Sequence, residues 1–135
     1  MAALVAVVLL ALAVLHVAWG IVGISGPSIA LPEIDGRPVF TPSRLSCFAV
    51  ASALACAAFL VLWRGGLVPV LAPSAPSTLG TAGVGFVFLG RAVGDFRLVG
   101  FFKRVRNSRF ATWDTRLFSP LCVALGLSSL WVAFS

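Results

Sequence analysis

The chain has 135 residues, of which 60% are apolar and 10% charged, and its mean hydropathy is +1.08. Soluble globular domains carry about 25% charged residues, so this composition excludes an ordinary water-soluble fold. The formal net charge is +6. Because basic residues beside apolar runs follow from membrane topology and anionic lipid head groups, we expect no nucleic-acid partner.

The first predicted element is a transmembrane helix at about residues 2–25. An apolar run of this length spans a hydrocarbon core of about 30 Å at about 1.5 Å per residue. No Lys or Arg precedes the run, and it is longer than the apolar core of a signal peptide, so we do not expect a cleaved leader. His16 is the conspicuous polar residue in the run, and Trp19 follows one turn later.

A proline-rich segment at 26–43 is predicted to form a structured loop that covers one end of the bundle. It contains the Asp35-Gly36 turn signal, and its apolar side chains need somewhere to pack. The second helix is predicted at about 45–63. An arginine at each end is placed to reach the membrane boundary.

Two further helices are predicted at about 78–96 and 117–135, after a turn rich in glycine and proline. The third helix has too few apolar residues to cross without including Arg91, which we therefore place at the membrane boundary. Pro120 falls in the first turn of the fourth helix, where proline is tolerated. The sequence thus predicts a single all-α domain over 1–135, a four-transmembrane-helix bundle.

Nine of the ten Lys and Arg residues fall in or beside the first and third connecting loops. Because loops rich in Lys and Arg stay in the cytoplasm, these loops are predicted to be cytoplasmic and both termini to lie outside.

A basic stretch separates the third and fourth helices. Continued helix at 96–106 would be amphipathic, so we predict a cytoplasmic interfacial helix that meets anionic lipid head groups, with a partner-protein docking site as the alternative. The residues predicted to contact head groups are Arg97, Lys103, Arg104, Arg106 and Arg109.

Ionisable groups collect in one half of the predicted membrane region. Arg91 and Asp95 are four residues apart and are predicted to pair, either as a structural ion pair or as anchors of a pocket. The full candidate ligand site is His16, Trp19, Arg91, Asp95 and Asp114. For His16 the alternative is a structural histidine that is hydrogen-bonded to a backbone or hydroxyl group of a neighbouring helix. The cysteines have no metal-binding spacing, and we expect neither a metal nor a cofactor.

Three stretches carry a family resemblance: LHVAWG at 15–20, LPEIDGRPVFTPSRL at 31–45 and GRAVGDFRLVGFFKRVRNSRFATWDTRLFSPL at 90–121. Together they resemble a family of small bacterial four-span membrane proteins catalogued only as a domain of unknown function. The resemblance implies an integral protein of the bacterial inner membrane with no assigned activity, substrate or cofactor.

Three functions remain open at this point. The first is a non-enzymatic bundle that binds a lipid or apolar small molecule in its cytoplasmic half. The second is a small membrane enzyme that uses His16 or Asp95 as acid or base on an apolar substrate. The third is an accessory subunit of a larger membrane complex, or a homo-oligomer.

Overall fold

The structure, a computed structural model, describes residues 1–24 and 29–135. Four long helices form most of the described chain: α1 (Ala2–Val22), α2 (Arg44–Arg64), α3 (Ala75–Val93) and α4 (Arg109–Phe134). Three of them, α1, α2 and α4, are long and apolar enough to cross a membrane. The sequence predicts an all-α bundle of four spans; the structure confirms that the chain is mostly helical, with three helices that could span a membrane.

The helix boundaries differ from the prediction where local signals decide them. α1 ends at Val22 rather than residue 25, which lies outside the described residues. α3 begins and ends three residues early, because Ser74 and Ser77 form a capping box at its start and Gly94, at φ 90°, ends it. α2 matches its predicted range to within one residue at each end.

α4 begins eight residues before the predicted start, because Ser108 caps it by accepting the amide N–H of Ala111. Pro120 lies in the first turn of the α-helical part Ser119–Phe134, as predicted, although α4 as a whole begins earlier at Arg109. Proline lacks the N–H that would bond the carbonyl four residues earlier. Directly before it, Asp114–Phe118 widen into a π-helical turn, after which Ser119–Phe134 continue as α-helix.

A two-stranded antiparallel hairpin interrupts the otherwise helical chain. Its strands are β1 (Glu33–Ile34) and β2 (Arg37–Pro38), and Ile34 pairs with Arg37. Asp35 and Gly36 both have positive φ, at 50° and 75°, as a tight hairpin turn requires. The predicted turn signal is therefore confirmed, and the loop is ordered by it.

The helices pack mainly as two pairs, α1 against α2 and α3 against α4, with a smaller contact between α2 and α3. The core of buried side chains includes Val5, Leu9, Val61 and Leu125. α3 and α4 approach closely where two glycines face each other. A Cβ on Gly126 would lie 3.0 Å from the carbonyl oxygen of Gly85.

Contacts between chain-distant residues define the two ends of the bundle. At one end the buried Glu33 accepts the amide N–H of Arg109 at 3.3 Å, which joins the hairpin to the start of α4. At the other end Arg64 donates to the carbonyl oxygens of Ala133 and Ser135 at 3.0 and 2.8 Å. The hairpin and the loop before α4 therefore share one end, called here the loop end.

Candidate functional site

A buried carboxylate is the centre of the polar structure at the loop end. Asp114, in the π-helical turn of α4, has no exposed surface. Its Oδ1 accepts from Nη2 of Arg91 at 2.8 Å, and its Oδ2 accepts from the amide N–H of Gly100 and from Nζ of Lys103 at 2.8 and 2.9 Å. A buried charge needs such partners, because an unpaired one is costly to remove from water.

Lys103 is fully built into this cluster. Its side chain is only 1% exposed, and Nζ donates to Asp114, to the carbonyl oxygen of Gly100 at 2.8 Å and to Oγ1 of Thr115 at 2.6 Å. All three ammonium hydrogens therefore have acceptors. The prediction that Lys103 meets lipid head groups is wrong, because its charge is used inside the protein.

The segment 94–108 is an irregular loop, so the predicted interfacial helix is not present there. Gly94, Phe96 and Gly100 all have positive φ, at 90°, 62° and 86°, which a continued right-handed helix does not allow. Gly94 and Gly100 pass so close to the opposing backbone that neither position has room for a Cβ. This crossing turns the chain back toward α3 and delivers the Gly100 amide and Lys103 to Asp114.

Asp95 does not pair with Arg91, contrary to the prediction. Its Oδ1 instead accepts the backbone N–H groups of Arg97, Leu98 and Val99 at 2.9, 2.7 and 3.0 Å. Slight burial acts to raise the pKa of Asp95, but these hydrogen bonds outweigh it and hold the pKa below the ordinary 3.8. Asp95 is therefore a structural acceptor that shapes the start of the loop.

Arg91 is only partly satisfied by Asp114. Its side chain is 34% exposed, and Nη1 is buried without a hydrogen-bond partner in the described structure. Both ion pairs found among residues 1–24 and 29–135 use the same carboxylate, that of Asp114. The cluster thus places two cations against one anion, and the guanidinium keeps unfilled donor capacity.

Arg91 also lines a groove of about 430 Å³ between α2 and α3. Its other lining residues are all apolar: Val50, Ala53, Leu54, Ala57, Val84, Val87 and Phe88. Arg91 follows Val87 and Phe88 on one face of α3 and is the residue nearest the loop end. The groove is therefore lined by apolar side chains and has one cationic group, Arg91, at its loop end.

His16 and Trp19 line a different groove of about 260 Å³, beneath the hairpin loop. Nδ1 of His16 lies 2.8 Å from the carbonyl oxygen of Leu12, which can only accept, so Nδ1 is the donor in this hydrogen bond. The His16 and Trp19 rings meet edge to face at 5.0 Å between centroids. Val50 lines both grooves, so the two are neighbours.

The structure thus divides the predicted ligand site. Arg91 and Asp114 form an ion pair, and His16 and Trp19 line the neighbouring groove. The carboxylate of Asp95 instead accepts backbone N–H groups of its own loop. No group of three His, Cys, Asp or Glu side chains within the described ranges is placed to hold a metal ion.

Sequence reasoning missed the amide of Gly100 and the burial of Lys103. The available signals were glycines flanking a short loop and a lysine directly after two phenylalanines.

The remaining residues predicted to meet head groups stay on the surface. Arg97, Arg104, Arg106 and Arg109 are exposed. Beside them Phe96 and Phe102 are 57% and 62% exposed, with ring centroids 6.3 Å apart. The loop therefore presents exposed aromatic and basic groups together, without being a helix.

One family model matches most of the chain. The model of the family described as "Protein of unknown function (DUF3995)" matches residues 9–129. No curated protein and no solved structure matches the chain. Because the family model covers nearly the whole chain, the protein belongs to this family, whose biochemical activity is unknown.

Proposed function

We propose that the protein is a non-enzymatic integral membrane protein that binds a lipid or lipid-like molecule in the groove between α2 and α3. The observation that supports the proposal is the groove itself, which is lined by apolar side chains, has a volume of about 430 Å³ and ends at Arg91. Ligand pockets in proteins are mostly apolar with a few polar groups that orient the ligand. An ionisable residue at membrane depth, such as Arg91, is a functional-site candidate because a charge is costly to place there.

The proposal includes four membrane spans: α3 is added to α1, α2 and α4, which are long and apolar enough to span. At 19 residues α3 is about 28 Å long, close to the thickness of the hydrocarbon core. Its glycine contact with α4 holds it at the same depth as that helix. The loop end carries nine of the ten basic residues, which supports a cytoplasmic loop end and outside termini in the bacterial inner membrane.

The exposed surface of 94–108 fits contact with anionic lipid head groups. Phe96 and Phe102 supply apolar area at the boundary, and Arg97 and Arg104 lie beside them. Each Lys or Arg near an anionic surface contributes about 1 kcal/mol. This contact orients the loop end on the membrane and is separate from binding in the groove.

Filling the groove tests the proposal. Ala53 is exposed and lines the groove, so Ala53→Phe places a ring in the groove without replacing a buried side chain. We expect the variant to retain much less co-purifying lipid than the unmodified protein, measured by native mass spectrometry from a neutral detergent.

Cys56→Phe is the matched control, because Cys56 is exposed on the same helix and does not line this groove. It should retain lipid as the unmodified protein does. Equal lipid retention by both variants would contradict binding in the groove.

A second candidate function, a membrane enzyme, is favoured by one observation. His16 and the buried Cys47 both line a groove of about 260 Å³, and the Nδ1 hydrogen bond to Leu12 orients the His16 ring. A histidine positioned in this way can act as a base. Conversion of an apolar substrate that is lost in His16→Phe and retained in Ala53→Phe would support this candidate over the first.

A further inference from the structure

We propose that the ligand of the α2–α3 groove is a single-chain amphiphile with an acidic oxyanion head, a carboxylate or a phosphate, held by the guanidinium of Arg91. This inference rests on the proposed function, because it names the chemical class of the molecule in that groove. The alkyl chain of the ligand lies along the apolar wall of the groove, and its acidic head lies at the loop end.

The first argument is the charge balance of the buried cluster. Arg91 and Lys103 bring two positive charges to Asp114, which supplies one negative charge. The chain has four acidic residues, and the other three lie elsewhere: Glu33 accepts the amide of Arg109, Asp35 is exposed in the hairpin turn and Asp95 accepts amides of its own loop. One positive charge is therefore left for an anion to balance.

The second argument is the direction of that excess charge. Lys103 is enclosed and fully hydrogen-bonded, so it has nothing to offer a ligand. Arg91 lines the groove, donates only through Nη2 to Asp114, and leaves Nη1 without a partner. Unmet donors on a charged group next to hydrocarbon are costly, and an oxyanion is the acceptor that arginine binds best. Because Nη1 is buried, the partly exposed side chain would have to rotate to present this N–H to a ligand in the groove.

The third argument concerns the length and lining of the groove. From Val84 to Arg91 it follows α3 for seven residues, about 10 Å. Apart from the guanidinium, its lining residues are aliphatic or aromatic and offer no second polar side chain. A ligand with one terminal polar group and one apolar chain matches that arrangement, whereas a ligand with polar groups along its length does not.

The test compares three probes with the same chain: hexadecanoate, hexadecyl phosphate and hexadecanol. The delipidated protein in neutral detergent is incubated with each, and bound adducts are counted by native mass spectrometry. We expect at least one acid to bind about tenfold more tightly than the alcohol, since charge-assisted hydrogen bonds to arginine are the strong ones. Preference between the two acids identifies which oxyanion the site fits.

Arg91→Gln should lower acid binding to the level of the alcohol while the alcohol still binds. Arg37→Gln, on the exposed second strand of the hairpin, is the matched control and should keep the preference for acid. Because the comparison of acid with alcohol is made on the unmodified protein, the inference stays testable even if Arg91→Gln does not fold.

Equal binding of acid and alcohol to the unmodified protein overturns the inference and leaves the proposed function standing. A preference for acid that survives in Arg91→Gln also overturns it. If none of the three probes binds and Ala53→Phe retains its lipid, the proposed function itself fails.

Discussion

Asp114 is the residue on which the loop end depends. It holds α3 through Arg91, the loop through the Gly100 amide, and the only lysine of the chain through its ammonium group. A single carboxylate of α4 therefore holds α3 and two points of the loop between α3 and α4. Its position in a π-helical turn places it where all three can reach it.

Replacing Asp114 by asparagine should destabilise the protein by about 3 kcal/mol, because Lys103 is left buried without a counter-charge. The measurement is thermal or denaturant unfolding in a fixed detergent. Asp35→Asn, in the exposed hairpin turn, is the matched control and should change stability little.

The double variant Asp114→Asn with Lys103→Met should recover part of the loss, because the unpaired cation is removed as well. A double variant that is no more stable than Asp114→Asn alone would contradict this account of the cluster.

Asp95 makes the stability of the loop sensitive to acid. Its pKa in the folded protein is below the ordinary 3.8, so the unfolded chain takes up a proton first as the pH falls. Its contribution is present above about pH 4 and is lost as the pH falls through the folded-state pKa.

Asp95→Asn keeps an acceptor oxygen for the loop amides but cannot titrate. We therefore expect the unmodified protein to lose more stability than Asp95→Asn between about pH 5 and about pH 3, measured as the difference in Tm at each pH. All other acidic groups are the same in both proteins, so their effects cancel. Parallel curves would show that the loop bonds do not depend on the charge.

At the scale of elements, the contact between α3 and α4 depends on glycines with no room for a side chain. A Cβ on Gly126 would lie 2.7 Å from Cγ of Leu89 and 3.0 Å from the Gly85 carbonyl oxygen. Because Gly85 and Gly126 have no side chains, the two backbones approach closely between Leu89 and Leu130, and such van der Waals packing drives helix association in lipid.

Gly126→Ala should therefore cost about 1–3 kcal/mol, since backbone atoms cannot move aside as a flexible side chain can. Gly83→Ala is the matched control on α3, because a Cβ there meets nothing within 4 Å. It should be neutral or stabilising by up to about 1 kcal/mol, because alanine favours helix. The measurement is thermal unfolding of both variants in the same detergent. Equal Tm values for the two variants would contradict close packing at Gly126.

The elements differ in how far the sequence could predict them. Apolar runs marked the long helices, and Asp35-Gly36 marked the hairpin turn, because these signals are local. For the segment 94–108 the predicted helix is wrong, because its periodic apolar residues fit a helix as well as the irregular loop that forms. Its real conformation depends on Asp114, a partner that becomes a neighbour only when α4 packs on α3.

The candidate site shows the same division. Depth along each helix correctly indicated that Arg91 and Asp114 lie near one end, but depth does not indicate which side of the bundle a residue faces. For that reason His16 and Trp19 were grouped with Arg91, whereas the structure gives them a separate groove.

For the whole molecule, the distribution of charge predicts its orientation. The loop end carries nine basic residues and the other end carries Arg64, so the loop end should face the cytoplasm. In a background in which Cys47, Cys56 and Cys122 are replaced by serine, Val70→Cys should react with a membrane-impermeant thiol reagent in intact cells. Asn107→Cys, exposed at the loop end, should react only after the membrane is opened. The reverse labelling would overturn the proposed orientation.

The pairwise packing of the helices bears on how the protein assembles in a membrane. α1 with α2, and α3 with α4, are two antiparallel hairpins, and the smaller contact between α2 and α3 is the seam that joins them. The groove that ends at Arg91 lies in this seam. A molecule bound there as proposed would touch both hairpins and hold the two halves of the chain together, so the thermal stability of the purified protein should rise with the amount of that molecule retained through extraction.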